Sequence, residues 1–123
     1  MKASGFQDEF NLESFRFPCL SRNDLVIFIK LLKINDFKKN EIIFNEKTDH
    51  GGRLKVDFKL KKDENCEYEL QVFIPEDFYE IENPKKNISI SFFSMRVFFH
   101  QNDATYHIPL IISPYGMSCW ISR

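Results

Sequence analysis

Between Arg53 and Lys61 every second residue is apolar: Leu54, Val56, Phe58 and Leu60 alternate with Arg53, Lys55, Asp57, Lys59 and Lys61. A period of two puts the four apolar side chains on one face of an extended strand and the charged ones on the other. This segment therefore needs a sheet with one buried and one wet face. Cys66 to Ile74 repeats the pattern, with Tyr68, Leu70, Val72 and Ile74 inward and Glu67, Glu69, Gln71 and Phe73 outward. Joining the two as a hairpin with Lys61 opposite Glu67 and Lys59 opposite Glu69 matches unlike charges. A slip of two residues would set Asp57 against Glu69, a like-charge pair that costs stability.

The longest β-rich stretch runs from Asn87 to Ile112, where two apolar runs flank the polar break Gln101-Asn102-Asp103. Composition of this kind predicts a long antiparallel hairpin. In its first strand the apolar positions shift from even (Ile88, Ile90) to odd (Phe93, Met95, Val97, Phe99), as a β-bulge near Phe92 and Phe93 would cause. A turn centred on Asn102 and Asp103 pairs His100 with Thr105 and Phe98 with His107. It gathers Arg96, Phe98, His100 and His107 on one outer face.

Upstream, Ser21 to Asp24 offers helix-capping residues, and Leu25, Phe28, Ile29 and Leu32 follow at i, i+3, i+4 and i+7. That spacing predicts an amphipathic helix over residues 24–34. The β-branched Val26, Ile27, Ile29 and Ile34 keep a buried strand as the competing assignment. Residues 1–20, with Phe6, Phe10, Phe15 and Phe17 at irregular spacing, read as an N-terminal arm ahead of a single domain over 21–123. Thr48-Asp49-His50-Gly51-Gly52 is a strong turn signal.

The expected fold is α+β: an N-terminal helix packed on an antiparallel meander of about six strands, with a β-sandwich or closed β-barrel favoured instead if residues 24–34 form a strand. A chain of 123 residues suffices for one core of ordinary size. With 17 basic and 18 acidic residues and a formal net charge of −1, it lacks the overall basic field that drives non-specific nucleic-acid binding. Three cysteines, Cys19, Cys66 and Cys119, cannot all pair internally. With no signal-peptide pattern and no long apolar run, they point to an intracellular protein, cytoplasmic or nuclear.

Chemistry-bearing motifs are sparse. Two histidines do not make a zinc site, which needs three or four ligands, and no nucleophile elbow or phosphate loop is present. No catalytic residue, metal or cofactor is expected. The chain reads as a non-catalytic protein-interaction domain, a subunit or adaptor of a larger assembly, binding a protein partner or a second copy of itself. An apolar-ligand or lipid carrier and a single-stranded nucleic-acid binder are the alternatives. The 14 phenylalanines exceed what one small core obviously needs. Candidate contact residues are accordingly Phe6, Phe10, Phe15 and Phe17 on the arm, Phe73, Arg96, Phe98, His100 and His107 on the outer sheet face, and Trp120 near the end.

Overall fold

In a computed structural model the described residues are 6–16, 26–35, 39–60, 66–76, 89–99, 104–113 and 115–122. They form eight strands: β1 (Phe6–Arg16), β2 (Phe28–Lys33), β3 (Glu41–Lys47), β4 (Arg53–Leu60), β5 (Glu67–Phe73), β6 (Phe92–Phe98), β7 (Thr105–Ser113) and β8 (Gly116–Cys119). One sheet has the order β4-β1-β7-β8 and the other β3-β2-β5-β6. All pairs are antiparallel except β1 with β7, which run parallel.

This is a β-sandwich, and the α+β expectation is corrected. The stripe assigned to a helix over 24–34 is extended in its described part. Ile27, Ile29 and Leu31 are fully buried while Phe28 faces solvent, a period of two that the equally apolar Phe28 and Leu32 disguised as 3.6. β-branching at Val26, Ile27 and Ile29 favours that outcome. The meander fails because the chain crosses from one sheet to the other after β1, β3, β4 and β6. β4 pairs with β1, so Lys59 lies opposite Gln7 and not Glu69. β5 pairs with β2 and β6, setting Glu69 between Leu32 and Arg96. The Asn87–Ile112 hairpin does not form either: β6 lies in one sheet and β7 in the other, so Phe98 pairs with Glu67, and His107 with Asn11. The proposed bulge is absent from β6, whose register with β5 is continuous from Phe92 to Phe98; a register shift occurs instead in β2, between Leu31 and Leu32.

The supposed arm supplies β1, which lies inside its sheet between β4 and β7. Its described even residues, from Asp8 to Ser14, point inward. Phe10 and Leu12 join the core, and Asp8 and Ser14 are buried polar residues, each with a bond across to another segment. Asp8 Oδ1 accepts from the Ala104 amide at 3.0 Å, and the Glu9 amide donates to the Ala104 carbonyl at 3.0 Å, which pins the start of β7 to β1. Ser14 Oγ donates to the Gly52 carbonyl at 3.2 Å.

Facing sheets close over Ile29, Leu31, Leu70, Val72, Ile108, Leu110 and Ile112, each at 1% exposure or less. Burying one such side chain contributes roughly 1.5–3 kcal/mol. At one end an aromatic cluster forms around Phe10, with ring centroids 4.8 Å from Phe58, 5.6 Å from Phe44 and Tyr106, and 5.8 Å from Phe99. Much of the phenylalanine content is thus structural.

Candidate active site

Alternation along β1 sends Glu9, Asn11 and Glu13 to the outer face of the β4-β1-β7-β8 sheet, and the strand registers extend these positions into rows. Lys55, Asn11, His107 and Ser122 form one row; Arg53, Glu13 and Pro109 form the next; Asp57, Glu9 and Thr105 form a third. His107 is exposed, and its backbone is locked to Ser122 by two hydrogen bonds of 2.8 and 2.9 Å. The backbone of His107 is thereby fixed on a solvent-facing sheet, with a carboxamide residue on one flank and a hydroxyl-bearing residue on the other.

The charged groups beside it are tied to one another. Asn11 Nδ2 donates to Glu9 Oε1 at 2.9 Å, and Lys55 Nζ lies 3.3 Å from Glu9 Oε2. Those contacts, the Asn11 amide foremost, hold the Glu9 carboxyl below the ordinary carboxylate range. Arg53 Nε donates to Glu13 Oε2 at 3.0 Å. Both cations are well exposed, so these pairs contribute little stability; they aim the side chains.

The turn from Thr48 to Arg53 sets the position of Arg53. Asp49 Oδ1 accepts from the amides of Gly51 at 2.8 Å and Arg53 at 3.0 Å, bonds that keep its carboxyl ionised to lower pH than usual. Gly52 has φ 77°, a left-handed conformation that a side chain would strain. Beneath, buried Thr48 exchanges bonds with Ile27: its amide donates to the Ile27 carbonyl at 2.9 Å and its hydroxyl accepts from the Ile27 amide at 3.1 Å. A cleft of about 400 Å³ opens against this turn, lined by Asn11, Leu12, Glu13, Asp49, Arg53, Leu54 and Lys55. That volume suits a small molecule.

Such a face has the parts for proton transfer and polar recognition: an imidazole, a guanidinium, an ammonium and a carboxamide. Among the described residues no group of three or more His, Cys, Asp or Glu side chains is placed to hold a metal. Cys119 turns inward and burial pushes its thiol up to about 11, too high for a nucleophile at neutral pH.

The residues proposed from sequence are scattered by the fold. His107 and Trp120 share the face just described. Phe10 is buried and unavailable to a partner. Phe15 follows the outward alternation of β1, opposite Ile111. Phe6 lies in β1, its side chain outside the described portion, and Phe17 and His100 lie outside the described residues. Phe73, Arg96 and Phe98 occupy the outer face of the other sheet. There Arg96 is bonded to Glu69 at 2.6 Å and Glu67 at 2.9 Å, Phe73 packs on Phe92 at 5.0 Å, and Phe28, Ile42, Phe92 and Phe98 are exposed. Sequence reasoning missed Glu9, Asn11, Glu13 and Arg53 as a group, because only the crossing of β1 between β4 and β7 brings them together. The alternation Glu9, Asn11, Glu13 against Phe10, Leu12 was the available signal.

Fold and face together define a class: an all-β sandwich whose polar site lies on the outside of a sheet instead of within a barrel. The family profile "Transthyretin: HIUase/Transthyretin family" matches residues 23–121, and the chain belongs to that family. Arg53, Lys55, His107 and Trp120 fall within the matched stretch, whereas β1 precedes it. Among solved structures, an (S)-allantoin synthase superposes with a TM-score of 0.70 at 18% identity, over 100% of this chain and 46% of its own. The chain thus spans about half the length of that protein. A 5-hydroxyisourate hydrolase from Klebsiella pneumoniae superposes with a TM-score of 0.63 at 14% identity, over 94% of this chain and 99% of its own. No curated protein matches. At such identities the neighbours establish the fold. Membership of a family named in part for a hydrolase overturns the expectation of a non-catalytic interaction domain or adaptor. Among the described residues no helix is long and apolar enough to cross a membrane.

Proposed function

We propose that this chain is a hydrolase of a small oxidised purine-type ring, 5-hydroxyisourate or a close chemical relative, and that the outer face of the β4-β1-β7-β8 sheet is its active site. The observation that carries the reading is His107, exposed and held in register beside Asn11, next to the cleft that Arg53 and Lys55 line. Family membership and the name of the Klebsiella pneumoniae neighbour support the choice of substrate.

In this reading His107 takes a proton from water as the water oxygen bonds to a ring carbonyl carbon. Arg53 then donates hydrogen bonds to the oxyanion that develops. Collapse re-forms the carbonyl, breaks the ring carbon–nitrogen bond, and returns the proton from His107 to the departing nitrogen. Water is consumed and nothing is oxidised or reduced. Asn11, its amide nitrogen engaged by Glu9, presents Oδ1 as an acceptor for a ring N–H.

The test is the decay of freshly generated 5-hydroxyisourate, followed by ultraviolet absorbance. Wild-type protein accelerates it over buffer, and His107→Ala lowers kcat by about 100-fold or more, the usual share of a positioned acid–base group. Wild-type protein that leaves the decay at the buffer rate refutes the assignment.

We infer further that the protein works in a reducing intracellular compartment, which its odd cysteine count and the free Cys66 and Cys119 support. The same reading makes it a homo-oligomer, supported by the exposed Phe28, Ile42, Phe92 and Phe98 on the opposite sheet face.

A further inference from the structure

Trp120 is the chain's single tryptophan and is 49% exposed, an unusual position for so large an apolar surface. It directly follows β8, yet its place is defined. Leu110 pairs with Cys119 and His107 with Ser122, a constant register that sets Trp120 alongside Pro109. Cys119 and Ile121 on either side pack against the core, so alternation sends the indole outward, to the face that carries His107. Pro109 lies next to Glu13, the partner of Arg53. Trp120 and His107 are diagonal neighbours across the β7–β8 pair, within reach of a long or aromatic side chain. Proline has no N–H to give, so the strand continuation is fastened one row away, at His107 and Ser122, and a flat apolar strip of Pro109 and Trp120 borders the polar rows.

We propose that Trp120 is the stacking platform of this site and that it favours fused purine-type rings, which lay one flat amide-bearing face on the indole, over open-chain ureides. This rests on the hydrolase reading of the same face and deepens it. A flat ring laid on the indole presents its edge, where amide N–H and C=O groups lie, to His107, Asn11 and Ser122. Every aromatic heterocycle has a π-face to stack, while the edge groups select among them. A non-planar ureide of equal polarity gains no such contact.

The experiment uses uric acid, a planar oxidised purine, as a probe, and reads both the fluorescence of the sole tryptophan and the heat of binding. Fluorescence is corrected for probe absorbance with free tryptophan amide. Wild-type protein is expected to show saturable quenching whose midpoint agrees with calorimetry. Trp120→Phe keeps the affinity within about threefold, whereas Trp120→Ala and Trp120→Leu each weaken it about tenfold or more, as loss of one base–aromatic stack does. Allantoin, a non-planar ureide, is expected not to quench. Absence of saturable quenching in the wild type overturns the platform, as does a Trp120→Leu protein that binds urate as tightly as wild type. The two readings fail separately. Unaccelerated decay of 5-hydroxyisourate together with normal quenching removes the hydrolase and keeps the platform. Unchanged KM in Trp120→Leu removes the platform and keeps the hydrolase.

Discussion

Phe10→Ala tests whether β1 is an integral strand of the sandwich. The ring is 2% exposed and meets Phe58 edge-on at 4.8 Å and 77°, Phe44 at 5.6 Å and 87°, Tyr106 at 5.6 Å and 84°, and Phe99 at 5.8 Å. Truncating a buried phenylalanine costs about 3–5 kcal/mol through lost transfer energy and the cavity left behind. Aromatic pairs contribute about 0.5–1.5 kcal/mol each beyond area, but that gain overlaps the truncation cost, so it selects the upper half of the range and is not added. In a chain of this length, 1 kcal/mol moves the melting temperature by roughly 3–5 °C, which makes the expected fall about 12–25 °C. Circular dichroism melts measure it, and urea titration should show a lower midpoint at an unchanged slope. Phe10→Leu keeps most of the volume and is expected to recover about half of the loss, separating cavity from ring geometry. A Phe10→Ala protein that melts within 5 °C of wild type would mean that the ring is not enclosed, and β1 would revert to a loosely attached arm.

Two further outcomes are expected. The Glu69 carboxyl is held below its ordinary value of 4.5, first by the Gln71 amide and then by the Arg96 guanidinium. A depressed folded pKa means that the unfolded chain takes up the proton first, so the stabilisation is present above that ordinary value and is lost as pH falls through the folded one. Glu69→Gln is therefore less stable than wild type at pH 7, and the gap closes as pH falls through the lowered folded value in paired urea titrations; a gap independent of pH would sink the argument. Light scattering should give a mass above one chain, and Phe92→Ser with Phe98→Ser should lower it while leaving the decay of 5-hydroxyisourate intact. A wild-type monomer at micromolar concentration contradicts self-association.

The wet and dry faces of Arg53–Leu60 and of Glu67–Gln71 were legible because apolar and polar residues alternate there without exception. The odd-numbered Phe93, Met95, Val97 and Phe99 were legible as core because Ser94 and Arg96 interrupt them, although Phe92 and Phe98 face outward. Two features hid the remainder. In β2, outward Phe28 and Leu32 are as apolar as inward Ile29 and Leu31, so hydropathy carried no period and the caps at Ser21–Asp24 tipped the reading to helix. In β1, inward Asp8 and Ser14 break the apolar alternation. Their burial makes sense only once the Ala104 amide and the Gly52 carbonyl are found opposite them. Pairing was harder still. Charge matching of Lys59 with Glu69 was sound as local chemistry, but a sandwich lets a strand leave its sequence neighbour for the other sheet, where Arg96 meets Glu69 instead. Of the site, His107 and Trp120 were named from sequence, but for a protein partner.

What makes the site possible is that β1 does two jobs through one alternation. Its even residues hold Ala104, the aromatic cluster and the Gly52 turn, while its odd residues present Glu9, Asn11 and Glu13 between the cations of β4 and the imidazole of β7. A slip of one residue would bury Asn11 and expose Phe10 together, so the polarity of the core enforces the register of the site. The parallel β1–β7 pair adds a second constraint. Its strands are far apart in sequence, and the Asp8 carboxylate and Glu9 amide fasten both backbone groups of Ala104 three residues before His107. Buried Asp8 is thus the group that converts the packing of the sandwich into the placement of the imidazole beside Asn11.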